Sequence, residues 1–322
     1  ARAVPISLQD RQDVPDPCSL AERFCAVRAV SVGNCEPLEP EDYCIQPMAD
    51  ASPPKWHLAH VTWFFETFLL KPFLPGYAAF HPCFEYLFNS YYQGVGTPFP
   101  RTERGRLSRP TTAEVLEYRA YVDAAMLTLL SSASEPEIAF RTELGLHHEQ
   151  QHQELFFTDM KFNLGNNPLR PVYVAGPARM GEAAAVPLSF VGFQGGIHEI
   201  GHAGDGFHFD NEGPRHEVLL RDFELANRPV TNGEYLAFMA DDGYGRAELW
   251  LSDGWAEINA SGVSAPQYWY QEGGDWYEYH LDGARPLCLA APVCHVSGYE
   301  AAAYARWARA RLPREPEWEV AA

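Results

Sequence analysis

The chain has 322 residues, room for about two domains of ordinary size. With 43 acidic against 24 basic residues and a net charge of −19, it argues against a broad phosphate-binding surface and so against nucleic acid as a partner. A hydrophobic fraction of 46% supplies ordinary cores, yet no run of about 18 apolar residues suits a membrane span, and "ARAVPISLQDRQDVPD" lacks a charged-then-apolar signal pattern. The seven cysteines (Cys18, Cys25, Cys35, Cys44, Cys83, Cys288, Cys294) are odd in number, irregularly spaced and without a CxxC. Free thiols in a reducing compartment fit that pattern better than a disulfide framework or a zinc knuckle, so a soluble cytoplasmic protein is expected.

In chain order, the first half reads helical. "SLAERFCAVRAVSVGNCEPL" has apolar residues three and four apart behind an N-cap-like Ser19. "SPPKWHLAHVTWFFETFLLKPF" starts with a Ser-Pro-Pro suited to a helix N-terminus and is expected to stop before Pro72. "TTAEVLEYRAYVDAAMLTLLSSA" has a Thr cap followed by Glu and an amphipathic stripe. "EPEIAFRTELGLHHEQQHQELFFTDMKFNL" is the fourth long helix, closed by "GNNP". Four long helices suggest an antiparallel bundle, a fold that builds metal sites from inward-facing side chains. Short β-type segments follow, such as "LSFVGFQGGIHEIGH" and "HEVLLRDFELAN", with short helices at "TNGEYLAFMADDG" and "SGYEAAAYARWARARL". The fold class is therefore α+β, with domains over 1–171 and 188–322 and a linker near 172–187.

The histidines carry the chemistry. Residues four apart on a helix differ by about 40° in direction, so His148 and His152 share a face while His147 points elsewhere. Such a pair can grip a metal with two neutral imidazoles, or can be core histidines bonded to carbonyls. "WHLAH" adds His57 and His60 in an apolar context, and either one facing the interior would complete a three-histidine set. Glu149 lies off the His148/His152 face, and no other carboxylate has a motif-like offset for a fourth ligand. Three neutral ligands leave coordination positions open, as catalytic sites do. Copper or zinc would accept the same imidazoles as iron.

"LFNSYYQGVGTPFPRTERGRLSRPT" places Tyr91 and Tyr92 ahead of Arg101, Arg104, Arg106 and Arg109 in a Gly/Pro-broken loop. Tyrosines beside a redox metal can give a proton or an electron, and arginines suit a substrate carboxylate. The alternative is a surface loop of stacked tyrosines and solvated arginines.

"SPPKWHLAHVTWFFETF", "FNSYYQGVG", "RGRLSRPT", "HHEQQHQEL" and "NPLRPVY" together resemble, in order and spacing, the N-terminal DinB-like bundle of the EgtB-type hercynine sulfoxide synthases of ergothioneine biosynthesis. "FDNEGPRHEVLL", "RPVTNGEYLAF", "ELWLSDGW", "APVCHVSGYEAAAYARW" and "LPREPEWEVAA" are similar to that family's second domain, a formylglycine-generating-enzyme-like, C-type-lectin-like fold. The resemblance spans nearly the whole chain. It implies an oxidoreductase that uses non-haem Fe(II) and O₂ to couple a cysteine-type thiol to C2 of the imidazole of Nα-trimethylhistidine (hercynine).

Carried over position by position, the resemblance makes His60, His148 and His152 the iron ligands, His60 being the retained histidine of "WHLAH". Gln151 would help hold hercynine, Tyr91 or Tyr92 would be the proton donor, and Arg101 would lie near the sulfur donor's carboxylate. Such a site leaves positions for a thiolate, the hercynine imidazole and O₂, and brings together molecules that would not meet productively in water.

Some segments depart from the family pattern. "LGNNPLRP" follows "DMKF" where many relatives carry a further His or bulkier residues, "LPREPEWE" replaces "LPTEAEWE", and Gly298 stands where an aromatic is usual. The related selenoneine synthases, which take selenium from a selenosugar onto the same hercynine, are the sibling reading. "LPREPEWEVAA" lies before the family's usual C-terminus, so residues completing the hercynine pocket are expected beyond it. Other readings are a DinB-type thiol transferase or hydrolase using zinc or nickel, which would lack the tyrosine pair and second domain, and a lectin-like binding module. Formylglycine generation is weaker still, since Cys288 and Cys294 are six apart and that family's copper-binding cysteines lie further on.

Overall fold

In the computed structural model, residues 19–132, 135–176 and 184–322 are described. The chain divides into two compact units, Ala1–Asn166 and Asn167–Ala322, the first helical and the second built of short sheets and helices. The fold is α+β, as the sequence pattern predicts.

The first unit begins with α1 (Leu20–Gly33), started by a capping box in which Ser19 and Glu22 satisfy each other's backbone N–H groups. The second helix, α2 (Pro54–Phe65), has all twelve residues buried. A helix that is apolar on every side belongs in the middle of a core, and α2 packs against both long helices described below. It does not stop before Pro72. A π-helical turn over Glu66–Leu70 carries it into α3 (Lys71–Phe73), where Pro72 sits in the opening turn and its missing N–H costs little. The turn is held by the buried Glu66 carboxylate, which accepts from Tyr77 Oη, Tyr118 Oη and the Phe80 N–H.

After the short α4 (Phe84–Phe88) and a 3₁₀ turn over Arg101–Arg106 come α5 (Thr112–Ser132) and the 30-residue α6 (Pro136–Gly165). Phe24, Trp63, Phe65, Leu69, Tyr118, Met126, Leu146 and Met160 form the buried centre. Full burial of one such side chain contributes about 1.5–3 kcal/mol before the chain-entropy cost. Gly145 allows α6 to approach α2 closely, since a Cβ there would lie 2.6 Å from Phe65 Cε1 and 2.9 Å from Phe64 Cε1.

The second unit comprises β1 (Phe190–Phe193), β2 (Gly196–Ile200), β3 (His216–Leu220) and β4 (Phe223–Ala226), then α7 (Asn232–Ala240) and α8 (Ser252–Ser261). It continues with β5 (Trp269–Glu272), β6 (Asp275–His280), β7 (Gly283–Pro286), α9 (Gly298–Trp307) and α10 (Glu315–Ala321). All pairings are antiparallel: β1 with β4, β2 with β3 (Ile197 opposite Leu219), and β5-β6-β7 in order. Gly273 and Gly274, with φ of 61° and 96°, make the tight β5–β6 turn that only such residues adopt readily. Tyr235, Phe238, Trp250, Trp269 and Leu287 form the core of this unit. Arg170 stacks 3.4 Å over Tyr270, and Tyr279 Oη donates to the Pro171 carbonyl, so these residues belong to the second unit. The expected linker overlaps residues 177–183, which lie outside the described residues.

Among the described residues no helix is long and apolar enough to cross a membrane. Six of the cysteines are free thiols; Cys18 lies outside the described residues.

Candidate metal centre

Two helices build the site. His60 projects from α2, while His148 and His152 project one turn apart from α6. Each of the three offers a ligand atom within 4.8 Å of the others'. Ring centroids are 5.1 Å apart for His60 and His148, 4.8 Å for His60 and His152, and 4.7 Å for His148 and His152. His60 stacks on Trp56 at 4.5 Å and on Trp63 at 5.6 Å, and His148 packs 4.9 Å from Phe64.

Burial among these rings governs protonation. Burial pushes His60 well below the ordinary histidine value, helped by the neighbouring His148. Burial alone brings His148 down to about 4. His152 is driven well below its usual value by burial and then by His60, His57 and His148. All three are therefore neutral at pH 7, the form that binds a metal.

The remaining nitrogens are informative. His60 Nδ1 lies 2.6 Å from the Phe88 carbonyl oxygen, which can only accept, so Nδ1 carries the proton and Nε2 is bare. His152 Nδ1 lies 2.9 Å from His57 Nδ1. His148 Nδ1 is buried with no hydrogen-bond partner among the described residues. A donor set of bare, neutral imidazole nitrogens in an apolar cage fits a divalent transition metal.

The other predicted residues fall out differently. Tyr92 is partly buried against Trp63 at 5.5 Å and Phe68 at 5.2 Å, and burial raises its phenol above the usual value. Tyr91 is 76% exposed, has a φ of 61° that is uncommon outside glycine, and accepts from Arg101 Nη1 at 2.5 Å. Arg101 also donates to the Asp50 carbonyl. Gln151 is exposed on α6, one residue before His152. His147 is half-buried and is not among the three clustered histidines.

Asp159 escaped sequence reasoning, which named Arg104 only as a loop arginine and Glu149 only as lying off the histidine face. Asp159 lies seven residues after His152, an offset that shares a helix face, and reaches His57. Arg104 is buried, donates to Ser52 and Ser90 hydroxyls, and lies 3.4 Å over the Trp56 ring that stacks on His60. Glu149, off the histidine face, is fully buried between Arg28 at 2.9 Å, Arg119 at 2.5 Å and the Ser31 hydroxyl at 2.6 Å. Burial works against that carboxylate, but the two guanidiniums outweigh it and hold it at about 2. No sequence signal gives these long-range partners.

Comparison with known proteins divides the chain in the same sense. The DinB superfamily matches residues 23–156, and the sulfatase-modifying factor enzyme 1-like domain matches residues 178–322. The chain is 34% identical over 273 residues to the hercynine oxygenase of Mycolicibacterium thermoresistibile, spanning 84% of this chain and 58% of that one. A formylglycine-generating enzyme of Streptomyces coelicolor is 36% identical over 142 residues, 40% of this chain and 45% of its own length. The hercynine oxygenases matched are thus longer, this chain spanning 58% to 68% of their length. With 32% identity over 308 residues to the hercynine oxygenase of Mycobacterium tuberculosis, 94% of this chain and 68% of that one, and with both domains present in order, the chain belongs to the hercynine oxygenase family.

Proposed function

We infer that the protein forms a carbon–sulfur bond at C2 of the hercynine imidazole, as a non-haem Fe(II)- and O₂-dependent oxidoreductase of ergothioneine biosynthesis. The observation that carries this reading is the three-histidine cluster, with ligand atoms within 4.8 Å, in a chain whose relatives are hercynine oxygenases.

His60, His148 and His152 would hold the iron, leaving further coordination positions for substrates. When bound, Fe(II) supplies one-electron chemistry toward O₂ and lowers the pKa of a coordinated thiol. The chain's own residues do the rest. Trp56, Trp63 and Phe64 exclude water from the ligand rings. Tyr92, on the aromatic cluster that also contacts His60 and His148, keeps its phenol proton at neutral pH and is the better placed of the two tyrosines to donate it at Oη. Tyr91 instead orients Arg101, whose guanidinium offers paired N–H donors to the carboxylate of a cysteine-type donor. Gln151 contributes to holding hercynine.

A selenosugar donor is the second reading, favoured by the divergent "LGNNPLRP" segment and Gly298. A selenosugar offers hydroxyls and no carboxylate, so Arg101 would matter less. The test supplies Fe(II), O₂ and hercynine with cysteine, γ-glutamylcysteine and a selenosugar in competition, and reads products by mass. A cysteine-derived hercynine sulfoxide is expected. Exclusive selenium incorporation would overturn the sulfur donor alone; full activity with zinc and no oxygen uptake would overturn the redox reading.

A further inference from the structure

We propose that His57, held by Asp159, is a positioning residue that fixes which nitrogen of His152 faces the other two histidines. The inference rests on the metal centre proposed above and concerns a residue outside its ligand set.

One chain of hydrogen bonds sets where the protons lie. The Ser52 N–H donates to Asp159 Oδ2 at 2.8 Å, and His57 Nε2 lies 2.9 Å from the same oxygen. A carboxylate only accepts, so His57 Nε2 carries a proton. With that ring carrying a single proton, Nδ1 is bare and serves as the acceptor. Its neighbour at 2.9 Å is His152 Nδ1, so that nitrogen carries the proton and His152 Nε2 is left with its lone pair. The tautomer of His152 is thus dictated from Asp159, two hydrogen bonds away. Phe88 performs the equivalent service for His60 through its carbonyl oxygen.

The elements make this arrangement rigid. His57 and His60 lie one turn apart on the fully buried α2, and His152 and Asp159 lie two turns apart on α6. His57 is 6% exposed, so solvent cannot stand in readily for its acceptor nitrogen. Without that acceptor the His152 ring would be free to present either nitrogen in either tautomer. Such outer partners of metal-binding histidines typically contribute about 10–100-fold to metal affinity.

The experiment titrates the metal-free protein with Co(II) against a competing chelator and records the visible spectrum of the bound ion. His57→Phe is expected to weaken Co(II) binding about 10–100-fold and to change the spectrum. His57→Gln, whose amide oxygen can accept from His152 Nδ1–H, should recover much of the affinity. Asp159→Asn keeps an oxygen acceptor and should cost less than Asp159→Leu. Circular dichroism of each metal-free variant verifies that the helices are folded. If His57→Phe does not fold, Asp159→Leu, which retains the His57 ring, carries the test. Wild-type affinity and spectrum in a folded His57→Phe or Asp159→Leu variant would overturn the inference while leaving the metal centre standing. Failure of the wild-type protein to bind Co(II) would remove the metal centre and the inference together.

Discussion

Glu149 Oε1 lies 2.5 Å from Arg119 Nη2, with both side chains buried, on the turn of α6 that carries His148. Arg28 completes the cluster from α1, so one carboxylate ties three helices together behind the histidines. Replacing it by alanine leaves the buried Arg119 without its carboxylate partner and Arg28 with Asp123 alone. Glu149→Ala should cost about 3–5 kcal/mol in a denaturant titration. A cost under about 1 kcal/mol would show that water or a rearranged partner satisfies the arginines.

Gly145 tests the α2–α6 approach. On helix propensity alone, Gly145→Ala should stabilise α6 by about 1 kcal/mol. The added Cβ meets Phe64 and Phe65 rings at under 3 Å, so overpacking should dominate and cost about 1–3 kcal/mol. Because Phe64 also packs on His148, metal affinity should fall with it. A rise in the unfolding midpoint would contradict the close packing.

Much of this was legible in the sequence, and the exceptions have physical reasons. The i,i+4 spacing of His148 and His152 and the all-apolar setting of "WHLAH" led to the cluster that the fold assembles. Choosing between His57 and His60 was not possible from spacing, because both are buried and both point toward α6. What separates them is the Phe88 carbonyl and the Asp159 carboxylate, contacts made across the fold. Pro72 misled because the π turn before it places the ring where a helix tolerates it. The tyrosine pair was adjacent in sequence and has opposite fates, one phenol packed on the core and one exposed.

That split gives a kinetic prediction. Tyr92→Phe keeps the ring and removes the proton, so coupling to hercynine should fall about 10²-fold or more while thiol oxidation and oxygen uptake continue. Tyr91→Phe should act through Arg101, raising KM for the sulfur donor with kcat little changed. Product and oxygen stoichiometries distinguish the two. Unchanged coupling in both single variants and the double variant would rule out a tyrosine proton donor.

In the second unit, Glu234 closes the α7 capping box and takes both Arg228 nitrogens, at 2.7 and 2.9 Å. The Arg228 hydrogen bond, with the Thr231 cap, holds the carboxyl at about 2. A folded pKa below the unfolded value of about 4.5 means its contribution is complete above pH 4.5 and is lost as pH falls toward 2. Glu234→Gln should lower stability at pH 6 and flatten its decline over that window, as read from thermal midpoints. An unaltered pH slope would show the pair to be energetically silent.

Iron stoichiometry measures the centre itself. Protein reconstituted anaerobically with Fe(II) and freed of excess metal should retain one iron per chain. His60→Ala, His148→Ala and His152→Ala should each retain none, with hercynine coupling abolished, whereas His57→Ala should still take up iron, with weakened affinity. Stoichiometric iron in His60→Ala together with its complete loss in His57→Ala would contradict the assignment of His60, His148 and His152 as the metal-binding set.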